Sequence, residues 1–251
     1  MDDLIRCLLA ERKEYQDIGV PSKLPDKRRL LRSLMNVRPP APVSKEFLRA
    51  QDAYLQERLV QRGVTRLQDL TPVRPGLYLW QGDITTLAVD AIVNAANSGM
   101  TGCYIPCHGC IDNAIHTYAG IQLRLECARI MAGQRGEEPV GQAKITKAYN
   151  LPCRYVLHTV GPMIEGAVTK TDREQLSSCY RSCLDLAAAN GLHSVAFCCI
   201  STGEFHFPNE LAAQIAIETV RDWQRQNPDK IEVIFNVFKD SDRELYKRLL
   251  G

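Results

Sequence analysis

The sequence lacks the features that define several large classes of protein. None of its apolar runs is long enough to span a membrane, and it contains no internal repeat and no low-complexity tract. Neither sign of charge dominates, since 31 Lys and Arg balance 29 Asp and Glu; the net charge of +2 gives no case for non-specific binding to nucleic acid or membranes. The first residues are acidic, without a basic stretch or a cleavage-like site, so no secretory signal is expected.

The ten cysteines do not indicate a small secreted scaffold held by disulfides. With 251 residues, the chain is too large for that class, and it can bury one sizeable core or a core with a smaller appendage. We therefore expect a reducing, cytoplasmic environment, in which the cysteines are small core residues or metal ligands.

The first 70 residues have the pattern of amphipathic helices. The run DKRRLLRSLMNVR is stopped by Pro39 and Pro40, and Ser44 then offers an N-cap for a helix that runs to Gly63. A segment with two prolines and a glycine, TRLQDLTPVRPG, follows as a linker. The sequence thus predicts a helical N-terminal extension over residues 1–70.

From residue 76 the pattern changes to strands that alternate with helices. The strand-like runs are GLYLWQGD, DAIVNAAN, RYVLHTVGP, SVAFCCIST and IEVIFNVF. Helical stretches are expected over about 110–133, in DREQLSSCYRSCLDLAAANG and in PNELAAQIAIETVRDWQRQ. This alternation predicts an α/β fold with a mostly parallel sheet between helices, and ligands of such sheets bind at the carboxyl ends of the strands.

The residues that follow the strands offer the groups that a nucleoside diphosphate needs. They are the carboxylate of Asp83, the amides of Asn94 and Asn97, the backbone of a loop that begins at Ser201, and the ring of Phe238. Taken singly, each has a simpler interpretation as a cap, a turn, a strand-to-helix connection or a core aromatic. The loop matches neither a P-loop nor the dinucleotide fingerprint, so the prediction depends on the combination.

The stretch TGCYIPCHGCIDNAIHT concentrates three cysteines and two histidines in seventeen residues. Two thiolates and one imidazole from Cys103, His108 and Cys110 suit zinc. The pair Cys107 and Cys110 also forms a C-x-x-C motif, so a redox switch is the alternative.

A fourth ligand would decide whether such a site is closed and structural or open and catalytic. Cys107 is one option, but it follows the rigid Pro106 and is adjacent to His108, so its side chain is expected to point elsewhere. His116 is the other option, and we expect it to pack within the fold.

Five motifs together resemble the macrodomain family of ADP-ribose-binding modules. They are GDIT, DAIVNAAN, IDNAIHTYAG, HTVGP and STGEFHFP, in that order, and the resemblance covers about residues 73–250. The helical first 70 residues and the cysteine–histidine stretch are similar to the zinc-containing branch, bacterial protein-ADP-ribose hydrolases associated with a sirtuin-type ADP-ribosyltransferase and a lipoyl-carrier protein of the glycine-cleavage H type. The resemblance implies a three-layer α/β/α macrodomain over 73–251, with a mixed, mostly parallel sheet.

The resemblance also implies a role for individual residues. Asp83 would accept a hydrogen bond from the adenine amine, with Ile84 contributing through its backbone, and Phe238 would lie against the adenine. Asn97 would contact the distal ribose. The residues expected around the diphosphate are Ser201, Thr202, Gly203, Glu204 and Phe205. The metal ligands would be Cys103, His108 and Cys110, and the catalytic group would add Asn97 and Asp112.

The chain departs from the common macrodomain pattern at two places. CYIPCHGC replaces a run of glycines, and His206 stands where many members have glycine. Asp112 has two interpretations, a base or supporting group beside the metal and a cap for the helix that follows. Glu204 is a weaker acid–base candidate, and His158 is expected to be structural.

The sequence therefore predicts a Zn²⁺-dependent hydrolase that releases ADP-ribose from mono-ADP-ribosylated protein. A reader that binds ADP-ribose around a structural zinc is the first alternative, and metal-bound Cys107 would favour it. Deacylation of an O-acyl-ADP-ribose is the second.

Overall fold

The computed structural model describes all 251 residues as eight α-helices and nine β-strands, with three short 3₁₀ turns. The helices are α1 (Asp2–Ala10), α2 (Leu24–Val37), α3 (Lys45–Arg62), α4 (Ile111–Ala119), α5 (Ile121–Ala132), α6 (Lys170–Ala189), α7 (Asn209–Gln226) and α8 (Asp240–Leu250). The strands are β1 (Thr65–Arg66), β2 (Pro72–Arg74), β3 (Leu77–Gln81), β4 (Leu87–Ala88), β5 (Ala91–Ala96), β6 (Ala143–Lys147), β7 (Tyr155–Val160), β8 (Ser194–Phe197) and β9 (Glu232–Val237).

Seven strands form one sheet in the order β2-β3-β9-β8-β5-β7-β6. The five central strands are parallel to their neighbours, and the two edge strands, β2 and β6, are antiparallel. β1 and β4 make a separate parallel pair. The predicted mixed, mostly parallel sheet is confirmed.

The central strands are buried because helices cover both faces of the sheet. Strands β5, β7, β8 and β9 consist mostly of apolar residues, and their side chains are almost all inaccessible, as expected for parallel strands. α4 packs on β5 and α5 on β6, while α6 packs on β6, β7 and α7. The prediction of a three-layer α/β/α fold is confirmed.

The N-terminal helices form a small core of their own. Nine buried apolar residues of α1, α2 and α3 make this cluster, and α2 also packs on α4. The Ser44 hydroxyl accepts a hydrogen bond from the Phe47 N–H at 3.1 Å, and α3 ends before Gly63, which has a φ of +81°. Both predicted ends of this helix are therefore confirmed. None of the helices combines the length and the apolar character that crossing a membrane requires.

The structure corrects several details of the predicted elements. The helix expected over about 110–133 is divided by Gly120, whose φ of +95° interrupts the helical backbone. The expected linker contains β1, a short 3₁₀ turn and β2. The edge strand β6 and the terminal helix α8 were not predicted; β6 has the sequence AKITK, and lysine is common on edge strands and weak as a strand signal.

The chain order of the strands creates a crevice at the carboxyl end of the sheet. From β5 the chain continues to β7 on one side, then returns to β8 on the other side of β5. Neighbouring strands whose connections leave in opposite directions form a topological switch point, where ligands of open α/β sheets bind. The residues that follow β5 and β8 therefore line the expected crevice.

Candidate functional site

The predicted binding residues follow strands that are arranged in a row. Asp83 follows β3, Phe238 follows β9, Ser201 lies beyond β8 and Asn97 follows β5, and these four strands are consecutive in the sheet. Three steps between parallel strands span about 14 Å. The row thus presents an acid and an aromatic ring at one end, a loop in the middle and an amide at the other end, which suits an elongated ligand.

The carboxylate of Asp83 caps the turn that follows β3. It accepts hydrogen bonds from the N–H and hydroxyl groups of Thr85 at 3.0 and 2.6 Å, and it pairs with Arg62 Nη1 at 2.9 Å. The capping role considered from the sequence is therefore present. The side chain is still 38% exposed, so a ligand amine can reach it. Ile84, the next residue, is buried.

The ring of Phe238 lies outside the core. It is 77% exposed at the end of β9, so the simpler interpretation of a core aromatic is wrong. Its backbone carbonyl accepts a hydrogen bond from Gln81 Nε2 at 3.3 Å, which ties this strand end to that of β3. An exposed aromatic ring beside Asp83 offers a flat face to a ligand ring.

The loop after β8 presents free backbone amides. Ser201 has a φ of +64° and His206 a φ of +56°, and the loop is closed by Phe207 N–H donating to Ser201 O at 3.0 Å. The N–H groups of Ser201, Gly203, Glu204 and Phe205 donate to no acceptor of the chain. Such a turn of unpaired amides forms a concave site for an anion.

Three predicted metal ligands converge beside this loop. The ligand atoms of Cys103, His108 and Cys110 all lie within 4.8 Å of one another, and Cys103 Sγ is 3.5 Å from His108 Nδ1. The three residues are half-buried. Two soft sulfur atoms and one imidazole nitrogen at this separation could hold a zinc ion.

The surroundings of the three residues fit a cation. Burial, together with the nearby Cys103, raises the pKa of the Cys110 thiol to about 12, although the N–H of Asn113 acts in the opposite direction. A bound divalent cation would supply the positive charge that stabilises both thiolates. On the other side of the ring, His108 Nε2 lies 3.5 Å from Glu204 Oε1, and a carboxylate at that nitrogen leaves Nδ1 free for a metal.

Cys107 points away from the other two cysteines of the loop. Its Sγ lies 3.2 Å from Ser33 Oγ and 3.5 Å from the carbonyl oxygen of Arg29, and its φ is +53°. The ligand atoms that lie together are those of Cys103, His108 and Cys110, without Cys107.

Asp112 is buried in a network of amides next to the three ligands. Its Oδ1 accepts from Asn94 Nδ2 at 2.8 Å and its Oδ2 from Asn97 Nδ2 at 3.2 Å. Burial raises the pKa of this carboxyl to about 6, while the hydrogen bond from Asn94 lowers it. The cap of α4 is instead the Cys110 sulfur, which accepts from the Asn113 N–H at 3.4 Å, so the capping role considered for Asp112 is wrong.

Two buried histidines lie below this network. His116 Nε2 is 3.5 Å from Asp112 Oδ1, and the ring of His158 faces Asn94 Nδ2 at 3.1 Å and Thr146 Oγ1 at 2.9 Å. With Cys127, these histidines bring a second set of metal-binding atoms within 4.8 Å. All three residues are buried, so they lie in the core, as the sequence predicted for His158 and His116; both nitrogens of His158 are hydrogen-bonded, whereas those of His116 have no hydrogen-bond partner.

The sequence did not reveal the residues that hold the cysteine–histidine loop in place. Arg32 Nη2 donates to the carbonyl oxygen of His108 at 2.9 Å, and Asn36 Oδ1 accepts from the Cys107 N–H at 2.9 Å. From α5, Arg124 lies against the ring of Tyr104 at 4.3 Å. A charged residue in the apolar run of α5 was the available signal, but its partners are far away in sequence.

Comparisons with known proteins give consistent results. A family model described as Macro domain matches residues 93–216. The chain is 58% identical to the protein-ADP-ribose hydrolase of Treponema medium, covering 99% of this chain and 97% of the relative. It is 49% identical to the protein-ADP-ribose hydrolase of Staphylococcus aureus strain MSSA476, covering 98% and 93%. A probable bifunctional ADP-ribose hydrolase/ADP-ribosyltransferase of Fusarium oxysporum f. sp. cubense is 41% identical over 88% of this chain and 40% of its own length.

Solved structures show the same similarity. The Trypanosoma brucei macrodomain in complex with ADP-ribose matches with a TM-score of 0.68 and 32% identity, over 87% of this chain and 95% of that one. The Oceanobacillus iheyensis macrodomain with ADP matches with a TM-score of 0.63 and 35% identity, over 69% of this chain and 89% of that one. The first match extends well beyond the 124 positions of the family model.

Proposed function

This chain belongs to the macrodomain family, and we propose that it is a zinc-dependent hydrolase that releases ADP-ribose from mono-ADP-ribosylated protein. The observation that carries the proposal is the position of the three metal-ligand candidates, Cys103, His108 and Cys110, beside Asp112 at the β5 end of the crevice. The relatives that share 58% and 49% of its residues along nearly the whole chain are named protein-ADP-ribose hydrolases.

The row of strand ends supports ADP-ribose as the bound group. Adenine would lie between Asp83, Ile84 and Phe238, and the diphosphate would take the free amides of the loop at 201–205. The distal ribose would then reach Asn97, the last position of the row. The solved macrodomains to which the chain is similar include complexes with ADP-ribose and ADP.

Zinc is proposed from the chemistry of the donor set. When bound at three protein ligands, zinc supplies a Lewis acid and lowers the pKa of a coordinated water to about 7. Cys103, His108 and Cys110 would hold it, and Glu204 would orient the imidazole through Nε2.

The chain's own residues would orient the ribose and accept a proton. Asn97 is held by its donation to Asp112 Oδ2 and to the Gly102 carbonyl oxygen, both at 3.2 Å, so its side chain is fixed at the edge of the crevice. Asp112, which is held on both oxygens, would accept a proton from a water or ribose hydroxyl that attacks or assists at the anomeric carbon. The leaving group would be the side chain of the modified protein.

The test compares two cysteines of the same loop. Cys103→Ala should lower the release of ADP-ribose from a modified protein by at least about 100-fold, the scale expected when a catalytic metal is lost. Removal of zinc from the wild-type enzyme with a chelator should lower its activity by a similar factor. Adding zinc should then restore the activity of the wild type but not that of Cys103→Ala. Cys107→Ala, outside the ligand set, should keep both the metal content and the activity. Full activity of metal-free enzyme, with its fold intact, would exclude catalytic zinc.

The reader and the deacylase are the competing functions. The Cys107 side chain contacts residues of α2 and not the three ligands, which supports an open site and therefore the hydrolase. A reader would bind modified protein without releasing ADP-ribose in the same assay, and a deacylase would act on O-acyl-ADP-ribose alone.

For the substrate, we propose a lipoyl-carrier protein of the glycine-cleavage H type, modified by a sirtuin-type transferase. The resemblance to the zinc-containing branch supports it, and the fungal relative is named as a probable bifunctional ADP-ribose hydrolase/ADP-ribosyltransferase. Faster release from a modified carrier than from an unrelated modified protein is the expected result. A cytoplasmic location is likewise proposed, since the thiolate ligands need a reducing compartment.

A further inference from the structure

A second concave site lies between the N-terminal helices and the macrodomain. It is a cavity of about 410 Å³ bounded by residues of α2, α3 and α4, together with Cys107. This volume is within the range of small-molecule sites, about 300–1,000 Å³. None of the residues that line it belongs to the row of strand ends, so the cavity is separate from the proposed ADP-ribose crevice.

The cavity is lined by positive charge that the chain does not neutralise. Arg28, Arg29, Arg32 and Arg58 line it, and none of these guanidinium groups takes part in an ion pair. Guanidinium groups are well suited to binding phosphate and carboxylate. Four of them around one cavity, without a carboxylate of the chain, leave an anion as the missing partner.

The polar contacts of these arginines are incomplete. Arg28 and Arg58 both donate to the single Oε1 of Gln61, the first at 3.3 Å. The Nε–H groups of Arg28 and Arg32 are buried and have no hydrogen-bond partner. Because an unpaired buried donor costs free energy, these groups gain if a ligand oxygen enters the cavity.

The remaining lining of the cavity is mostly apolar. Tyr54 and Tyr118 contribute half-buried rings, and Leu31, Met35 and Leu55 contribute aliphatic side chains that are already almost fully buried in the core of the N-terminal helices. An inorganic anion would leave the two rings uncovered, whereas an apolar ligand would leave the arginines unpaired. The lining therefore favours a ligand that combines both kinds of group.

We propose that this cavity binds an organic anion, a phosphate or carboxylate carried on an apolar group of about the size of a phenyl ring. The anion would lie against Arg28, Arg32 and Arg58, and the apolar group against the rings of Tyr54 and Tyr118. Because Cys107 forms part of the lining and belongs to the loop of Cys103 and His108, an occupied cavity would contact that loop.

Binding is tested with three matched probes on the full-length protein by isothermal titration calorimetry. Phenyl phosphate carries both groups, phenol lacks the anion, and inorganic phosphate lacks the ring. Phenyl phosphate should bind at least about tenfold more tightly than either of the others, a difference of about 1.4 kcal/mol. ADP-ribose is present at saturation throughout, so that the crevice is occupied. Equal affinity for the three probes, or no binding of phenyl phosphate, would overturn the proposal.

Variants locate the bound probe. The double substitution Arg28→Gln with Arg58→Gln should weaken phenyl phosphate at least about tenfold, and Arg49→Gln, an exposed arginine of α3 outside the cavity, should leave it unchanged. If the double variant does not fold, the exposed Arg29→Gln gives the same comparison with a smaller loss. Equal losses in the cavity variant and in Arg49→Gln would contradict the assignment.

The ligand has two sources, a free small molecule or an acidic residue of the modified protein together with an apolar neighbour, and a kinetic measurement separates them. If the ligand is part of the modified protein, the double variant should raise KM for that protein, and phenyl phosphate should compete with the protein for the cavity. A free ligand leaves KM unchanged. Calorimetry needs no turnover, so a failure of the proposed hydrolase activity leaves the test of the cavity intact.

Discussion

Ser201 depends on the absence of a side chain at Gly161. Ser201 has a positive φ, and its hydroxyl is buried against the start of the connection after β7. A Cβ atom at Gly161 would lie 2.0 Å from Ser201 Oγ and 2.9 Å from Ile200 Cγ2. The glycine of the HTVGP motif thus allows the amide loop at 201–205 to approach the connection that follows β7.

Gly161→Ala should therefore weaken ADP-ribose binding at least about tenfold. The added methyl group displaces Ser201, and with it the amides that are proposed to hold the diphosphate. Titration calorimetry with ADP-ribose measures the effect, and the melting temperature reports the accompanying destabilisation of about 1–3 kcal/mol expected from overpacking.

Gly166→Ala is the matched control, because a Cβ atom there meets nothing within 4 Å. It should bind ADP-ribose like the wild type. If Gly161→Ala binds equally well, the loop does not need this close approach.

At the scale of elements, α2 and α5 hold the cysteine–histidine loop. Arg124 Nη1 donates to the carbonyl oxygens of Met35, Asn36 and Arg38 at 3.2, 2.6 and 2.6 Å, at the C-terminal end of α2. A cation at this end satisfies carbonyl groups that the helix leaves unpaired and interacts favourably with its dipole. Asn36, one of these residues, in turn holds the loop through the Cys107 N–H.

Arg124→Met should lower the free energy of unfolding by about 2–4 kcal/mol, because several buried carbonyl groups lose a charged donor. Urea denaturation followed by circular dichroism measures this loss. Arg129→Met, on the exposed side of the same helix, should change the free energy of unfolding by no more than about 0.5 kcal/mol. Similar values for both variants would show that the contacts of Arg124 contribute little.

At the scale of the whole molecule, the buried imidazole of His158 makes the stability of the fold depend on pH. Burial lowers the pKa of His158 to about 3, and burial also lowers that of His116 well below its ordinary value. An unfolded histidine titrates near pH 6.5, so between about pH 3 and 6.5 the unfolded chain binds more protons than the folded one. The contribution of the neutral His158 to the free energy of unfolding is fully present above about pH 6.5 and is lost as the pH falls toward 3.

The free energy of unfolding should consequently decrease by up to about 1.4 kcal/mol per pH unit for this group below pH 6.5. Urea denaturation at several pH values between 5 and 7 measures the slope. His158→Gln should have a shallower slope than the wild type, whereas His193→Gln, at an exposed position, should retain the wild-type slope. An unchanged slope in His158→Gln would contradict the assignment.

The predictability of the fold and of the site differs between individual residues. The alternation of apolar strands with helices was sufficient for the α/β/α fold, and Ser44 and Gly63 marked the ends of α3, because these are local signals. Gly120 dividing α4 from α5 was missed, since a glycine within a helical pattern does not reveal its φ. The exposure of Phe238 and the burial of Asp112 depend on neighbours distant in sequence.

The sequence by itself determined the α/β/α fold and the nearness of Cys103, His108 and Cys110, because alternation and short spacing act locally along the chain. Only the tertiary structure decided which loops and side chains that are distant in sequence lie next to one another. The return of β8 to the side of β5 places the amide loop next to Asn97, and the packing of α2 turns Cys107 away from the other two cysteines. The arginine-lined cavity exists for the same reason: its walls come from three helices that only the folded chain brings together.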